Sequence, residues 1–149
     1  MIDSRDLNEL SPAARKRAQS FFAACAADSY LLSNGITVIA TSTYRDFEAQ
    51  DAIYARGRTA PGKVVTKAKA GDSWHNWRCA FDVLPLRCGK PVWGTTGADR
   101  AVWQRLGEIA EQYGLEWAGR WTTFREMAHF QYTGGLTLAD FKAGKTMMV

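Results

Sequence analysis

Hydrophobic residues recur at helical spacing between positions 99 and 113, and this is the clearest amphipathic pattern in the chain. The apolar positions that would share one helix face are Ala101, Trp103, Leu106, Ile109 and Ala110. Gly114 follows them, and a glycine just past a helix accepts the left-handed backbone that often ends one. The pattern predicts a helix that packs this face against a core.

Three other helices are predicted from shorter signals. They span residues 12–27, 47–56 and 137–141. Ser11 and Pro12 open the first, because serine is a good N-cap and proline suits the first turn. Asp46 can cap the second, which Gly57 would close.

Strands are predicted where β-branched and aromatic residues cluster between turns. They cover residues 36–41, 79–86, 115–117 and 129–132. Asn34-Gly35 forms the turn before the first strand, and Gly89-Lys90 forms the turn after the second. Residues 59–71 contain Pro61 and little periodicity, so a long loop is expected there. Hairpin-like links favour an α+β fold with a mainly antiparallel sheet flanked by helices.

Composition adds limits to this outline. The chain has 149 residues, 46% of them hydrophobic, which suits a single domain over residues 1–149 with a real core. No apolar run reaches about 18 residues, so no membrane insertion is expected. Residues 1–6 lack a basic region followed by an apolar stretch. No secretory signal is therefore expected, and the protein should be made in a cytoplasm.

The basic excess of the chain favours polyanionic partners without choosing one. The formal net charge is +4 at pH 7, and no long run of lysine and arginine occurs. Nucleic acid and the anionic bacterial cell wall are both candidates, and an ordinary solvated basic surface explains the charge equally well.

The three cysteines fit no metal-binding or redox pair. Cys25 lies in an apolar stretch and is predicted to be a small buried hydrophobe. Cys79 and Cys88 could face each other across a hairpin, although in a reducing cytosol they would stay thiols. A cysteine nucleophile is disfavoured because it would need a histidine, and the histidines have a better use.

Each of the two histidines lies close in sequence to a carboxylate. Asp82 follows His75 by seven residues in an apolar strand, where an unpaired charge is costly. Glu126 precedes His129 by three residues. Two imidazoles and one carboxylate, with a second carboxylate nearby but unbound, are what a catalytic zinc site needs. Either pair taken alone is equally well explained by a buried, hydrogen-bonded histidine. The hypothesis is therefore stated for both pairs together: the two histidines bind a single metal ion.

Several ordered motifs resemble those of a known family. Residues 73–82 are similar to the SxHxxGxAxD motif of zinc D-Ala-D-Ala carboxypeptidases and L-alanyl-D-glutamate peptidases (VanY-like). Residues 126–129 match the second half of that signature. Residues 44–50 and 53–59 resemble the YRxxxxQxxLYAxGRT pattern of phage endolysins in the family. The resemblance extends from about residue 41 to residue 131.

The resemblance implies a set of roles for these residues. The zinc ligands would be His75, Asp82 and His129, the general base Glu126, and the substrate-binding residues Arg45, Gln50 and Ser73. Zinc would acidify a bound water and polarise the scissile carbonyl, while the base takes a proton and returns it to the leaving amine. Ser73 has a plainer alternative, which is to satisfy loop backbone groups.

The function implied is that of a phage-type endolysin cutting the L-alanyl-D-glutamate bond of peptidoglycan stem peptides. The family's fold is a small α+β domain, like that of the hedgehog and D-Ala-D-Ala peptidases, and agrees with the pattern above. No separate cell-wall-binding domain and no nucleic-acid partner are expected. The enzyme is expected to be a monomer in the host cytoplasm, and to reach the wall after a holin permeabilises the membrane.

Two rival functions remain at this point. A D-Ala-D-Ala carboxypeptidase would share the same zinc ligands. A non-catalytic domain that binds cell wall or nucleic acid would use zinc structurally, and Glu126 would then have to be a fourth ligand.

The chain departs from the family pattern at two positions. Arg78 replaces the motif glycine, so it would either strain the backbone or project into the cleft towards an anionic peptide. Ala128 stands where the endolysins commonly have proline. Five tryptophans flank the proposed site in sequence, at positions 74, 77, 93, 117 and 121, and core or rim packing is their expected use.

Overall fold

Five strands form one antiparallel sheet in residues 1–148, the part of the chain that the computed structural model describes. They are β1 (Ile36–Ser42), β2 (Ala80–Arg87), β3 (Lys90–Pro91), β4 (Glu116–Trp117) and β5 (His129–Gln131). The order across the sheet is β1-β2-β5-β4, with β3 paired to β2. The last strand in sequence therefore lies between two earlier ones. The α+β fold with a mainly antiparallel sheet is confirmed.

Helices surround this sheet at positions close to those predicted. They are α1 (Pro12–Ala27), α2 (Ser29–Ser33), α3 (Phe47–Ala55), α4 (Gly97–Gln112) and α5 (Leu138–Lys142). Three short 3-10 helices span Leu7–Glu9, Trp74–Trp77 and Ala118–Arg120. The sequence reading missed α2, which Asp28 caps by accepting a hydrogen bond from the Leu31 amide. Within the described residues, no helix has the length and apolarity to cross a membrane.

The core fills the space between one face of the sheet and helices α1 and α4. Phe21 of α1 packs against Phe81 of β2 and Phe130 of β5, with ring centroids 5.8 and 5.1 Å away. Each of these rings is fully buried, which stabilises the fold by roughly 1.5–3 kcal/mol per side chain. Side chains alternate along a strand, so neighbours of Phe81 and Phe130 emerge on the opposite face. Those neighbours include Asp82 and His129.

The buried face of α4 differs slightly from the predicted one. Trp103, Leu106, Ile109 and Ala110 are buried as expected, but Val102 is buried and Ala101 only half-buried. Gly107 is also buried because the indole of Trp117 lies against it, where a Cβ atom would collide with the ring. This close approach seats Trp117 between α4 and β5.

All three cysteines are free thiols, as expected, but Cys79 and Cys88 do not face each other across a hairpin. Cys25 is buried as predicted, whereas Cys79 is buried just before β2 and Cys88 is exposed just after it. An eight-residue strand separates the last two, so they cannot face each other. Burial raises the pKa of the Cys79 thiol to about 12, which makes it a poor nucleophile. The turn after β2 is Cys88-Gly89, and Lys90 already belongs to β3.

Candidate metal centre

Three candidate ligand atoms converge on the sheet face opposite the core. Asp82 and His129 are directly paired across β2 and β5, and His75 comes from the 3-10 helix that precedes β2. Asp82 Oδ1 is 3.3 Å from His75 Nε2 and 3.3 Å from His129 Nδ1. All three donor atoms lie within 4.8 Å of one another. This is a group that could hold a metal ion.

Hydrogen bonds to the outer ring nitrogens orient both imidazoles. His75 Nδ1 lies 2.9 Å from the carbonyl oxygen of Thr43, and His129 Nε2 lies 2.8 Å from Gln131 Oε1. Each outer nitrogen therefore carries the proton and donates it, because its partner is an acceptor. In the neutral form of each imidazole, the inner nitrogen (Nε2 of His75, Nδ1 of His129) would therefore have a lone pair available for a metal ion. Such carbonyl-fixed tautomers are typical of metal-binding histidines.

Charge around Asp82 also suits a cation. Burial raises the pKa of Asp82, but the adjacent His75 and the hydrogen bonds from both imidazoles outweigh it and hold that pKa well below its usual range. Burial lowers the pKa of His129, while the Asp82 carboxylate raises it and gives a net upward shift. The carboxylate is therefore ionised and its negative charge attracts positive partners. A zinc ion would replace the protons as that partner, and the donor set of two imidazoles and one carboxylate fits it.

Ser73 and Asn76 hold the short helix that carries His75. The Ser73 hydroxyl accepts a hydrogen bond from the His75 amide at 3.3 Å, and Asn76 Oδ1 accepts from the Ser73 amide at 3.3 Å. Together they form a capping box at the helix N-terminus. Ser73 therefore bonds to loop backbone groups, which is the simpler of its two predicted roles. It also lines the cleft beside the site.

Glu126 projects at the edge of the site from a loop. Its side chain is 62% exposed, and its Oε2 atom lies 3.7 Å from His129 Nδ1. The Glu126 amide donates to the Ala118 carbonyl at 3.3 Å. Trp117 Nε1 donates to the Met127 carbonyl at 2.8 Å. These bonds place an exposed carboxylate on an anchored backbone beside the three donors.

The site opens into a cleft with a volume of about 920 Å³. Its basic side chains are Arg45, Arg56, Lys67 and Arg125. Asp3, Asp72 and Glu126 lie on the same walls. Trp121 also faces the cleft, and its ring centroid is 5.6 Å from that of His129. We call this space the basic cleft.

Arg45 is held in the wall of the basic cleft by buried neighbours. Its two terminal nitrogens donate to Gln50 Oε1 at 3.0 Å and to Ser42 Oγ at 3.3 Å. Gln50 is fully buried and donates in turn to the Ala68 carbonyl. Gln50 thus lies behind Arg45, and a direct contact between Gln50 and a substrate would require this wall to move.

Arg78 adopts the backbone of the glycine it replaces, but its side chain leaves the site. Its φ of 58° is in the left-handed region. Its guanidinium donates to Glu9 Oε2 at 2.7 Å and lies 3.7 Å from the centroid of the Tyr44 ring. The left-handed backbone expected from the motif glycine is therefore present, and the Arg78 side chain does not project into the cleft. The guanidinium has partners on the far side of the short helix instead.

The residues that orient the site were not foreseen from the sequence. Thr43 acts through its backbone carbonyl, which no side-chain motif reveals. Gln131 could have been found, because it follows His129 by two residues and the predicted strand places both on one face. Trp117 acts from β4 through a contact that only the folded sheet creates.

Comparison with known proteins finds relatives of this chain among cell-wall peptidases. Residues 66–132 match the family model described as D-alanyl-D-alanine carboxypeptidase. The chain is 33% identical over 129 residues to the peptidoglycan L-alanyl-D-glutamate endopeptidase CwlK of Bacillus subtilis (strain 168). That alignment covers 83% of this chain and 74% of CwlK.

Solved structures with low sequence identity share the fold. The Serratia marcescens L-Ala D-Glu endopeptidase ChiX matches with a TM-score of 0.56 at 16% identity, over 91% of this chain and 86% of ChiX. The LD-carboxypeptidase LdcB matches with a TM-score of 0.59 at 21% identity, over 96% and 77% of the two chains. A vancomycin-resistance D,D-pentapeptidase VanY in complex with Zn(II) matches with a TM-score of 0.55 at 20% identity, over 89% and 83%.

The identity and coverage of the CwlK alignment decide the family, and the three structures support the fold. The chain belongs to the family of D-alanyl-D-alanine carboxypeptidases and L-alanyl-D-glutamate endopeptidases, and it is a peptidase.

Proposed function

We propose that this protein is a zinc endopeptidase that hydrolyses the L-alanyl-D-glutamate bond of peptidoglycan stem peptides. The observation that carries the proposal is the convergence of His75, Asp82 and His129 in a cleft that continues on both sides of Glu126. A second cavity of about 520 Å³ shares Asp82, Glu126 and His129 with the basic cleft. An endopeptidase needs space for its chain on both sides of the scissile bond, and a carboxypeptidase needs it on one.

The metal would be held by His75 Nε2, Asp82 Oδ1 and His129 Nδ1. Zinc in such a site acidifies a water molecule and polarises the carbonyl under attack. The hydrogen bonds to the Thr43 carbonyl and to Gln131 would hold both imidazoles in the orientation that this role needs. Glu126 is excluded from the three-donor cluster and remains exposed, which favours a proton-transfer role over a structural fourth ligand.

Glu126 would act as the general base and then as the general acid. Its carboxylate takes a proton from the attacking water and passes it to the amine that leaves when the peptide bond breaks. An exposed side chain on an anchored backbone suits a group that must reach two positions in turn. The adjacent His129 and Asp82 stay fixed during this transfer.

Arg45 would bind a substrate carboxylate or the developing oxyanion. Its side chain is only 15% exposed, and its Nε atom has no hydrogen-bond partner among the described residues. The nearest carboxylate oxygen, Asp3 Oδ1, is 3.7 Å from that nitrogen. A guanidinium with an unpaired N–H group can donate a hydrogen bond to an acidic ligand. Arginine also stays positively charged at all physiological pH values, which favours such a ligand. Gln50 would assist by orienting Arg45, and Ser73 by orienting His75.

The endolysin character of the proposal depends on residues 44–50 and 53–59, which resemble the phage enzymes. In that setting the protein acts as a monomeric single domain, is made in the host cytoplasm, and meets the wall after a holin opens the membrane. Expression in the cytoplasm of a susceptible host with and without a holin tests this step. Lysis that needs the holin supports it, and lysis without the holin contradicts it.

The cleavage site is tested by digesting purified peptidoglycan with the zinc-loaded enzyme and analysing the products by mass spectrometry. We expect new stem peptides that begin with D-glutamate, and glycan strands that retain L-alanine. The second candidate, a D-Ala-D-Ala carboxypeptidase, is favoured by the family description matched by residues 66–132. Release of terminal D-alanine alone would establish that candidate and overturn the endopeptidase.

A further inference from the structure

An apolar groove adjoins the metal centre on the side away from the basic cleft. This second cavity, here the Trp93 groove, is lined by Leu84 of β2, by Trp93 and Trp103, and by Met127 and Ala128 just before β5. It meets the basic cleft at Asp82, Glu126 and His129. Any extended chain bound across the metal centre would therefore occupy both spaces.

Trp93 projects from a loop that is held in place although the side chain itself is free. The indole of Trp93 is 76% exposed, whereas the preceding Val92 is buried and donates its amide to the Pro85 carbonyl at 2.9 Å. Trp103 Nε1 donates to the Gly94 carbonyl at 3.0 Å. Gly94 also packs so closely on Asp99 that a Cβ atom would collide with it. Leaving a large indole exposed forgoes the stabilisation that its burial would give. An exposed indole on an anchored loop is therefore typical of a binding surface.

The two spaces differ in charge. Apart from the shared Asp82, Glu126 and His129, the charged residues that line the basic cleft are four basic and two acidic, namely Arg45, Arg56, Lys67, Arg125, Asp3 and Asp72. Apart from the same three shared residues, the Trp93 groove has no charged residue among its described lining residues. The stem peptide is equally asymmetric about the L-alanyl-D-glutamate bond. Its D-glutamate side bears free carboxylates, and its L-alanine side is joined through a neutral lactyl ether to an N-acetylated amino sugar. Charge complementarity therefore gives the substrate one orientation.

We propose that the Trp93 groove is a subsite for the sugar-bearing side of the substrate. The L-alanine would contact Met127 and Ala128, and the sugar ring would stack on the Trp93 indole. The D-glutamate side would lie in the basic cleft. This inference rests on the proposed endopeptidase function and adds a selectivity for sugar-linked stem peptides over free peptides.

Two substrates with the same scissile bond test the proposal. One is an N-acetylmuramyl stem peptide, and the other is the same peptide with a free L-alanine amine. Stacking and burial of one ring correspond to about a tenfold change in kcat/KM. We expect Trp93→Ala to lose that factor on the sugar-linked substrate only. Trp93→Tyr should keep most of the preference, since it retains an aromatic face. Tyr113→Ala, an exposed aromatic at the end of α4 outside both cavities, is the matched control.

The outcomes separate this inference from the function on which it rests. If the native enzyme cleaves neither substrate at the L-alanyl-D-glutamate bond, the proposed function fails. If it cleaves both and Trp93→Ala leaves their ratio unchanged, the subsite fails while the function stands. An equal loss on both substrates likewise overturns the sugar subsite, because it means that the indole contacts the peptide.

Discussion

The floor of the cleft is buried and hydrogen-bonded, whereas its rim consists of exposed charges on loops. Asp82 and His129 project from paired strands, and His75 from a capped 3-10 helix. By contrast, Arg125 and Glu126 belong to the segment between the Ala118–Arg120 helix and β5, and Lys67 belongs to the long segment between α3 and the His75 helix. Floor residues are therefore suited to hold an ion in a fixed position, while exposed rim residues can adjust to the ligand.

The difference in construction assigns different tasks to residues that are close in sequence. His129 and Glu126 are three residues apart, yet one is buried in the sheet and the other is 62% exposed. A metal ligand must not move, and a proton carrier must. Substitutions on the two sides should accordingly fail in different ways.

The largest effect is expected from a floor residue. His129→Ala removes one of three donors, so bound zinc and hydrolysis should both fall to background. Metal analysis of the purified variant and a peptidoglycan release assay measure the two losses. Circular dichroism serves as the control for folding, because His129 also fills a buried position in β5. Full zinc content with normal turnover in a folded His129→Ala variant would remove the metal-centre hypothesis.

The next largest effect is expected at the rim. Glu126→Gln keeps the shape of the side chain but cannot accept a proton, so kcat should fall by about 10²–10⁴-fold. Bound zinc should remain at the level of the native enzyme. Steady-state kinetics and metal analysis on one preparation separate this result from that of His129→Ala. Loss of zinc together with activity would instead make Glu126 a fourth ligand.

Removing the support of a floor ligand should have an intermediate effect. Gln131→Leu preserves volume but leaves His129 Nε2 without its acceptor, and such changes cost about 10–100-fold in metal affinity or activity. Competition with a zinc-binding dye measures the affinity. Gln131→Glu, which restores an acceptor, should recover much of the loss. Equal zinc affinity in native and Gln131→Leu proteins would contradict the orienting role.

A basic residue of the rim should matter only a little. Arg125→Ala removes one exposed charge from the basic cleft, and an exposed ion pair is worth about 0.2–1 kcal/mol. We expect KM for an acidic stem peptide to rise about two- to fivefold, with kcat unchanged. The difference should shrink at high salt, because exposed charges are screened. A fall in kcat that salt does not alter would place Arg125 in the chemistry.

The smallest effect concerns the backbone beneath His75. Arg78→Ala and Arg78→Gly both remove the contacts with Glu9 and Tyr44, but only glycine is at ease at a φ of 58°. The glycine variant should therefore be the more stable of the two by about 1 kcal/mol. Chemical denaturation of the zinc-loaded proteins measures this difference, and bound zinc should be unchanged in both. Equal stabilities would mean that the left-handed backbone carries no strain.

Local patterns in the sequence predicted four of the helices, α1, α3, α4 and α5, and four of the strands, β1, β2, β4 and β5, but neither α2 nor β3. The candidate site residues came from the spacing of the two histidines and from the family resemblance. The apolar stretch around Asp82 is a feature of one strand, so it can be detected without the rest of the chain. The amphipathic face of α4 was predicted except at Val102, because a helix whose apolar stripe is broad can rotate by one position without changing its spacing pattern.

Features that arise from contacts between distant segments could not be predicted. The acceptor of His75 is a main-chain carbonyl 32 positions earlier, and no residue type specifies it. The direction of the Arg78 side chain depends on Glu9 and Tyr44, which only the fold brings near. The Trp93 groove likewise forms where β2, β5 and α4 meet. The sequence therefore showed that a tryptophan is present near the site, but not that it lines a groove beside it.

The position of β5 within the sheet has a consequence for biosynthesis. This strand is added between β2 and β4, both of which leave the ribosome earlier. His75 and Asp82 are already synthesised while their partner His129 is still to come. A nascent chain therefore has no complete site for the ion. The candidate metal centre can therefore assemble only after His129 has been synthesised and β5 has paired with β2.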